Sequence, residues 1–311
     1  MVKITEPGIY DLSEEEYHSD PCPEPSLSSS LAKVLINQSP RHAWAEHPRL
    51  NPDHEAKHKA HFDIGSLGHE LLVGGPGIVV IDQPDFKTKA ARELRDKAYE
   101  EGKTPVKRAD YDNALIMNRA LRGQLIHHPD TKGFFDGGET EKTLIWREGD
   151  IWCRCKLDWY QPGNSIFPDY KTDGGSVSPT EWQKKLYRFG YHIQDAFYRR
   201  GITAVLGVKY PEFRFVAQET SFPYAMGVFA VDDAGKEIAE RDVNYAIYMF
   251  GQCLRHDNWP GYVKETAYLN PPAWIGYDHE NRLVAHDNAI ANNTPPSKYM
   301  LHWQSPDKEQ T

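Results

Sequence analysis

Three consecutive β-like runs between residues 142 and 172 constrain the fold of this chain more than any other stretch. They read KTLIWREGDIWCRCKLDWYQPGNSIFPDYKT, and turn residues separate them at positions 148–150 and 161–164. Two more β-like runs, EFRFVAQET and YAMGVFAVD, begin at residues 212 and 224. Helical patterns precede, interrupt and follow these runs. The order therefore predicts an α/β core behind a helical N-terminal portion.

The predicted helices of the N-terminal portion have recognisable ends. SLSSSLAKVLINQSP offers a serine N-cap and an apolar helix that stops before Pro40. KAHFDIGSLGHELLVGG predicts a second helix that ends at the double glycine 74–75. Residues 86–127 are helical in pattern, with breaks expected near Gly102 and Pro105.

Two helices are predicted in the second half of the chain. Pro179 opens a long helical segment that extends to about Arg200, because apolar residues recur every three or four positions. Residues 234–256 predict another helix between the last β-like run and the C-terminal region. The region beyond about residue 280 is polar and is expected to be loosely structured.

The net charge of −9 argues against a protein that coats nucleic acid by bulk attraction. Two local basic clusters stand out all the same. The first lies between positions 86 and 108, where the sequence contains eight Lys or Arg residues and four acidic residues. Such faces suit an enzyme that binds phosphates, although either cluster could equally be a solvated helix surface. The second cluster consists of Lys184, Lys185, Arg188, Arg199 and Arg200.

Cysteine use and the N-terminal sequence predict a cytoplasmic protein. The first twenty residues are acidic and lack the apolar region of a secretory signal. We find no apolar run of the roughly 18 residues that a membrane span requires. Four cysteines are too few for a disulfide framework, and Cys153 and Cys155 lack the CxxC spacing of a structural zinc site.

Asp158 and Asp169 are the carboxylates most suggestive of chemistry. If their two runs pair as antiparallel strands around the Pro-Gly-Asn turn, the carboxylates can lie close together. Converging carboxylates repel each other unless a cation neutralises them, and Mg²⁺ takes oxygen ligands of this kind. Lys171 would share a strand face with Asp169, beside such a cation and an attacking water. A solvated Asp-Tyr-Lys surface pair is the alternative for the tripeptide alone.

Two further pairs lie four residues apart on predicted helices, and so on one side of each helix. Gly65 permits close approach, and His69 can offer a neutral imidazole to a metal. Gln194 and Tyr198, in YHIQDAFYRRG, can brace a site or bond a nucleic-acid backbone. A partly buried or surface histidine and an ordinary interfacial tyrosine are the alternatives for each pair alone.

These four fragments occur in the order Gly-x-x-x-His, Asp, Asp-x-Lys, Gln-x-x-x-Tyr. In that order the chain resembles the RecB-like branch of the PD-(D/E)XK nuclease superfamily. CRCKLDWY, DYKTD and YHIQDAFYRRG are most similar to the nuclease domain of RecE-type (exonuclease eight) prophage exonucleases. The resemblance extends from about Ser26 to Trp259. It implies a central mixed β-sheet flanked by helices.

The resemblance also implies roles for particular residues. Lys171 would be the catalytic lysine, with Asp158 and Asp169 as its acidic partners. A glutamate ahead of the first aspartate strand is usual in this branch. Glu139 and Glu141 both qualify, and Glu141 is preferred because it adjoins the β-run. The metal ligands would be His69, Asp158, Asp169 and the backbone carbonyl of Tyr170, with DNA-binding or supporting roles for Gln194, Tyr198, Thr172, Lys185 and Arg188.

The expected domain organisation combines the composition of the two ends with this resemblance. Residues 1–27 would be an irregular lead-in, and residues 280–311 a polar tail. Residues 28–279 would form a single nuclease domain. Its helical part would cover about 28–135, and its catalytic core about 139–260.

By resemblance, the expected function is Mg²⁺-dependent hydrolysis of linear double-stranded DNA from 5′ ends, with Mn²⁺ as a substitute metal. The product, 3′ single strands, would serve recombination through a RecT-like annealing protein. A homo-oligomeric ring, such as a tetramer, is expected, with no membrane association. Two alternatives stay open: a structure-specific or CRISPR-associated RecB-like nuclease, and an inactive DNA-binding or inhibitory module. An iron–sulfur cluster is not expected, because only Cys253 follows the core.

Overall fold

The computed structural model describes residues 4–54, 64–74 and 77–293. The chain forms two compact units, Met1–Tyr262 and Val263–Thr311, whereas the sequence placed a boundary at residue 279. In chain order the elements of the first unit are β1 (Gly8–Asp11), α1 (Glu14–His18), β2 (Leu27–Ser28), α2 (Ser29–Asn37), α3 (Pro40–Glu46), α4 (Ile64–Val73), β3 (Ile78–Ile81), α5 (Lys89–Glu100), β4 (Thr104–Lys107), α6 (Arg108–His127), β5 (Glu139–Glu148), β6 (Ile151–Tyr160), β7 (Ile166–Asp173), α7 (Pro179–Arg188), α8 (Tyr191–Leu206), β8 (Glu212–Glu219), β9 (Met226–Phe229) and α9 (Asp233–His256).

The predicted five strands of the core are all present, as β5 to β9. Strands β5 and β6 form an antiparallel hairpin, and Gly149 supplies the positive φ of +59° in its turn. β1 extends this sheet antiparallel to β5, and β2 extends it parallel to β6. β7 pairs parallel with β8, which pairs antiparallel with β9. The mixed α/β fold expected from the sequence is confirmed.

The predicted antiparallel pairing of the Asp158 and Asp169 strands is wrong. Within the described part of the chain, β6 pairs with β5 and β2, and β7 pairs with β8. β6 and β7 nevertheless lie against each other, because the Tyr170 amide donates to Asp158 Oδ2 across 2.7 Å. A side-chain hydrogen bond, and not a backbone ladder, joins the two carboxylate-bearing strands.

Helix α8 packs directly on the β5–β6 hairpin, and this packing fixes the position of the N-terminal turn of the helix. Gly201 lies so close to β5 that a Cβ atom there would be 2.7 Å from the Trp146 ring. Phe197 packs edge-on against the same ring, with centroids 5.0 Å apart. Both aromatic side chains are buried in the main hydrophobic core. This contact holds Gln194, one turn earlier, over strand β7.

The single helix predicted from Pro179 to about Arg200 is two helices. α7 ends at Arg188, and α8 begins at Tyr191. Gly190 separates them with φ of +65°, in the left-handed region that glycine adopts at little cost. The apolar residues keep their helical spacing across this break, so that the periodicity alone did not reveal it.

Three other segments are more regular than expected. The lead-in contains β1 and α1, and α1 begins with a capping box between Ser13 and Glu16. Pro105 lies within β4, which pairs parallel with β3, so a strand occupies the predicted helix break. In the second unit, a helix, α10 (Ala273–Ala291), covers part of the predicted loose tail. Capping boxes and edge strands are short, and their sequence signals are weak.

A buried ionic cluster ties the lead-in to strand β6. Asp20 accepts hydrogen bonds from the Ser26 amide (2.9 Å) and hydroxyl (2.6 Å). Arg154 Nη1 lies 3.1 Å from Asp20 Oδ1, and His47 Nε2 lies 3.3 Å from Oδ2. All four side chains are buried. The cluster therefore fixes the approach to α2, which follows directly after β2.

Among the described residues, no helix combines the length and the apolar character that a membrane crossing requires.

Candidate metal centre and catalytic site

Strands β5 and β6 place Glu141 opposite Asp158. Thr140 is registered with Trp159 and Lys142 with Leu157, which leaves positions 141 and 158 facing each other. Glu141 has φ of +56°, a backbone conformation that non-glycine residues rarely adopt outside functional or tight segments. Two carboxylates therefore meet at one point of the hairpin.

Helix α4 brings a histidine to these carboxylates. His69 Nε2 lies 3.2 Å from Asp158 Oδ2. Ligand atoms of His69, Glu141 and Asp158 all lie within 4.8 Å of one another. The His69 ring stacks on the Tyr170 ring, with centroids 6.1 Å apart and planes 23° apart. The Tyr170 hydroxyl in turn donates to Gln218 Oε1 across 2.6 Å, so buried contacts orient the imidazole.

Strand β7 adds the acid–lysine pair beside this cluster. Asp169 Oδ1 accepts a hydrogen bond of 2.9 Å from Gln194 Nε2. Asp169 Oδ2 contacts the Lys171 ammonium but receives no well-aligned hydrogen bond. Asp169 is only 2% exposed, whereas the Lys171 side chain retains 21% exposure. The lysine can therefore reach a molecule at the site that the aspartate supports.

The carboxylates of the site lie close enough to shift one another's pKa values. Burial and the nearby Asp158 raise the pKa of Asp169 to about 6. Burial and Asp158 also raise the pKa of Glu141. Burial opposes ionisation of Asp158 too, but His69, Lys171 and the Tyr170 amide outweigh it and lower the pKa of that carboxyl. Burial tends to lower the pKa of Lys171, but Asp169 and Asp158 outweigh it and raise that pKa to about 12.

This donor set suits a divalent cation. It combines carboxylate oxygens with one imidazole nitrogen, and these ligand atoms lie within 4.8 Å of one another. The raised pKa values of Asp169 and Glu141 indicate negative charge that the protein itself balances only in part. Residues of a metal site must converge in this way before the metal compensates their repulsion. The chain therefore carries a candidate metal-binding cluster.

The structure distinguishes between the two candidate glutamates. Glu139 pairs with Lys142 at 2.9 Å and is not part of the His69 cluster. Glu141 faces Asp158 and also lies 3.3 Å from Lys156 Nζ. The geometry thus favours Glu141, and its catalytic role stays a prediction.

Three of the five predicted supporting residues lie on α8 and β7. Gln194 reaches the site through Asp169. Tyr198 is buried in the core, where its ring packs edge-on against Phe213 at 5.2 Å. It can stiffen α8 but does not offer a surface to DNA. Thr172 lies on β7 opposite Gln218, one residue before the end of the strand that carries Lys171.

Lys185 and Arg188, the remaining predicted DNA contacts, lie on α7. Lys185 Nζ binds Asp173 Oδ1 at 2.7 Å and the Ser176 carbonyl at 2.8 Å, so its charge is already matched. Arg188 is exposed, with its guanidinium 5.8 Å from the Phe189 ring centroid. Arg188 is therefore the more accessible of the two cations.

Neither predicted basic cluster forms one uniform positive face. Arg199 pairs with Asp195, and Arg200 pairs with Glu240 and Glu148. Ion pairs of these two arginines with Glu240 and Glu148 join α8 to α9 and β5. In the 86–108 segment, most cations pair with adjacent acids at the surface, as in Lys97 with Glu101. The alternative interpretation, a solvated helix surface, therefore describes that segment better.

Two site lysines escaped the sequence predictions. Lys156 precedes Asp158 by two positions on β6, and the two-residue period of a strand could have revealed it. Lys33 lies on α2 with its Nζ 3.4 Å from Gln194 Oε1. Its position depends on a contact between residues 161 apart in sequence, for which no local signal exists.

Comparisons with known proteins agree with this geometry. A family model described as a PDDEXK-like domain of unknown function (DUF3799) matches residues 28–272. A solved structure from Eubacterium rectale, described as a "Putative exonuclease", is similar with a TM-score of 0.50 and 14% identity. The match covers 83% of this chain and 97% of that chain, and at this identity it shows the fold alone. A search of curated proteins finds no match. The predicted PD-(D/E)XK superfamily is confirmed, which supports a nuclease: the chain belongs to the DUF3799 family of PDDEXK-like domains.

Proposed function

We propose that this protein is a Mg²⁺-dependent exodeoxyribonuclease that degrades linear double-stranded DNA in the 5′ to 3′ direction. The observation that carries the proposal is the convergence of His69, Glu141 and Asp158 beside the Asp169–Lys171 pair. Hydrolysis of a phosphodiester needs an activated water, charge stabilisation at the phosphate and a stabilised leaving oxygen. Side chains suited to each of these tasks meet at this point.

The chain's own residues divide the work. His69, Glu141, Asp158, Asp169 and the Tyr170 carbonyl would hold the metal. A bound divalent cation would polarise the scissile phosphate and stabilise the leaving oxygen. Lys171 positions the attacking water and stabilises negative charge on the phosphate, because its pKa of about 12 keeps it protonated. Gln194 holds Asp169 in one orientation through its 2.9 Å hydrogen bond.

The finer features of this proposal rest on the resemblance to RecE-type exonucleases. They are attack from the 5′ end, production of 3′ single strands for recombination, a RecT-like annealing partner and a homo-oligomeric ring such as a tetramer. Mn²⁺ would substitute for Mg²⁺, since both accept oxygen ligands. A prophage source and a cytoplasmic location belong to the same proposal.

Metal binding is expected to stabilise the wild-type protein and not the Asp158→Asn variant. A cation that binds only the folded state adds about 2.7 kcal/mol to the free energy of unfolding at 100 times its Kd. Thermal unfolding would be followed in EDTA, Mg²⁺ and Mn²⁺. Asp233→Asn is the control, because that carboxylate is fully exposed on α9. An equal metal-induced rise in the unfolding temperature of Asp158→Asn and of the wild type would contradict the assignment of Asp158 as a metal ligand.

Two DNA substrates test the exonuclease itself. The purified protein would be incubated with Mg²⁺ and either a linear duplex labelled at one 5′ or 3′ end, or a covalently closed circle. We expect loss of the linear duplex with early release of the 5′ label, and an intact circle. Cleavage of the circle would favour a structure-specific endonuclease. DNA binding without any cleavage would favour an inactive binding module.

A further inference from the structure

A second lysine, on helix α2, approaches the site near Lys171. Lys33 is part of α2, and its Nζ lies 3.4 Å from Gln194 Oε1. The nitrogen of the same side-chain amide, Gln194 Nε2, donates a hydrogen bond to Asp169. Building on the proposed nuclease function, we propose that Lys33 binds a backbone phosphate of the DNA strand in the site, as the second ammonium beside Lys171.

The two ammonium groups share one aromatic ring. Lys33 Nζ lies 5.2 Å from the centroid of the Tyr191 ring, and Lys171 Nζ lies 5.7 Å from it. Tyr191 is the first residue of α8. Cations near an aromatic face are attracted to it, but a neutral ring does not cancel their charge. The two ammonium groups therefore both lie near the start of α8.

The backbone at Gly190 holds the Lys33 side chain in place. A Cβ atom at Gly190 would lie 3.1 Å from Lys33 Cγ and 3.3 Å from Cδ. The absence of a side chain there leaves room for the lysine stem to cross the gap between α7 and α8. Because its stem packs on backbone, the ammonium is directed toward the site and not free to range over the surface.

Lys33 differs from the other lysines near the site in its charge balance. Lys171 pairs with Asp169, Lys185 with Asp173, and Lys156 with Glu14 and Glu141. No carboxylate forms an ion pair with Lys33 within the part of the chain that the structure describes. Burial and the repulsion from Lys171 lower the pKa of Lys33 to about 8. An anion bound between the two lysines would supply the missing charge.

Salt dependence separates phosphate binding from a purely structural role. Each phosphate that a protein cation neutralises releases counterions, so log K falls against log salt with a slope of about −0.9 per contact. A lysine that only braces Gln194 would change the cleavage rate without changing that slope. The slope therefore reports on the contact itself.

The experiment compares Lys33→Met, Lys33→Arg and Lys209→Met with the wild type. Lys209 is an exposed lysine beyond the far end of α8 and serves as the control. Binding of a 20-base-pair linear duplex would be measured across a salt series in Ca²⁺, with the DNA checked for integrity. Circular dichroism would confirm that each variant is folded. For Lys33→Met we expect the slope of log K against log salt to become shallower by about 0.9 and the affinity to fall about tenfold. Lys33→Arg and Lys209→Met are expected to match the wild type.

The outcomes for Lys33 and for the nuclease are distinguishable. An unchanged slope in folded Lys33→Met would overturn the phosphate contact, even if cleavage in Mg²⁺ fell. Wild-type protein that binds the duplex but does not cut it in Mg²⁺ would overturn the proposed function, and the slope would still decide the role of Lys33. Wild-type protein that binds no DNA would overturn both.

Discussion

Replacing Lys171 by methionine is expected to reduce the rate of DNA cleavage by about 10²–10³-fold, the cost of removing one preorganised charge-stabilising group. The Lys171 ammonium contacts Asp169 Oδ2 and keeps partial exposure toward the site. Methionine retains the length of the stem but cannot stabilise negative charge on a phosphate or hold a water. Single-turnover cleavage of a short duplex in Mg²⁺ measures the effect.

A matched lysine provides the control for this substitution. Lys142 is also partly buried, with 15% side-chain exposure, and pairs with Asp11 on the neighbouring strand β1 and with Glu139 on its own strand β5. It lies outside the His69 cluster, so Lys142→Met should cleave DNA at close to the wild-type rate. A folded Lys171→Met protein within threefold of the wild-type rate would refute the role given to this lysine.

Asp20→Asn is expected to lower the free energy of unfolding by about 3–5 kcal/mol, the usual cost of breaking a buried ion pair. Arg154 is 3% exposed and would lose the carboxylate at 3.1 Å. Asparagine tolerates the positive φ of +62° at this position, so the effect reports on charge and not on backbone strain. Urea denaturation measures it, with the exposed Asp11→Asn as the control. A loss below 1 kcal/mol would contradict the structural role of this cluster.

The same carboxylate predicts a dependence of stability on pH. Burial opposes ionisation of Asp20, but hydrogen bonds from His47 and Ser26 and the charge of Arg154 outweigh it and lower its pKa below the ordinary 3.8. Its contribution is therefore fully present above pH 3.8 and is lost as the pH falls through the lower folded-state value. Between pH 3.8 and that folded-state value, the unfolding free energy of the wild type should fall more steeply with decreasing pH than that of Asp20→Asn.

The residues of the candidate site could be identified from the sequence because their signals are local. Turn residues separate the strands that carry Asp158 and Asp169, and the two-residue period places Lys171 beside Asp169. His69 lies on a helix whose glycine terminator is visible in the sequence. Glu141 could be preferred over Glu139 only by its adjacency to the strand, and the observed register with Asp158 supports that preference.

What the sequence missed depends on contacts between distant segments. Lys33 meets Gln194 only because α2 packs beside the start of α8. Asp20 joins Arg154 across 134 positions, so the lead-in appeared irregular although it is anchored to β6. Tyr198 shares a helix face with Gln194, and its buried ring packs on Phe213 from strand β8. Periodicity identifies which residues share a face but not what that face contacts.

Metal-dependent nuclease activity would be tested first by cleavage of a short, uniformly labelled linear duplex by the wild-type protein, in Mg²⁺ and in EDTA. Lys171→Met would be assayed in parallel on a denaturing gel. We expect nucleotide release by the wild type in Mg²⁺, none in EDTA, and at most about one hundredth of the wild-type rate in the variant. Equal cleavage by wild type and Lys171→Met, or cleavage that persists in EDTA, would contradict this expectation.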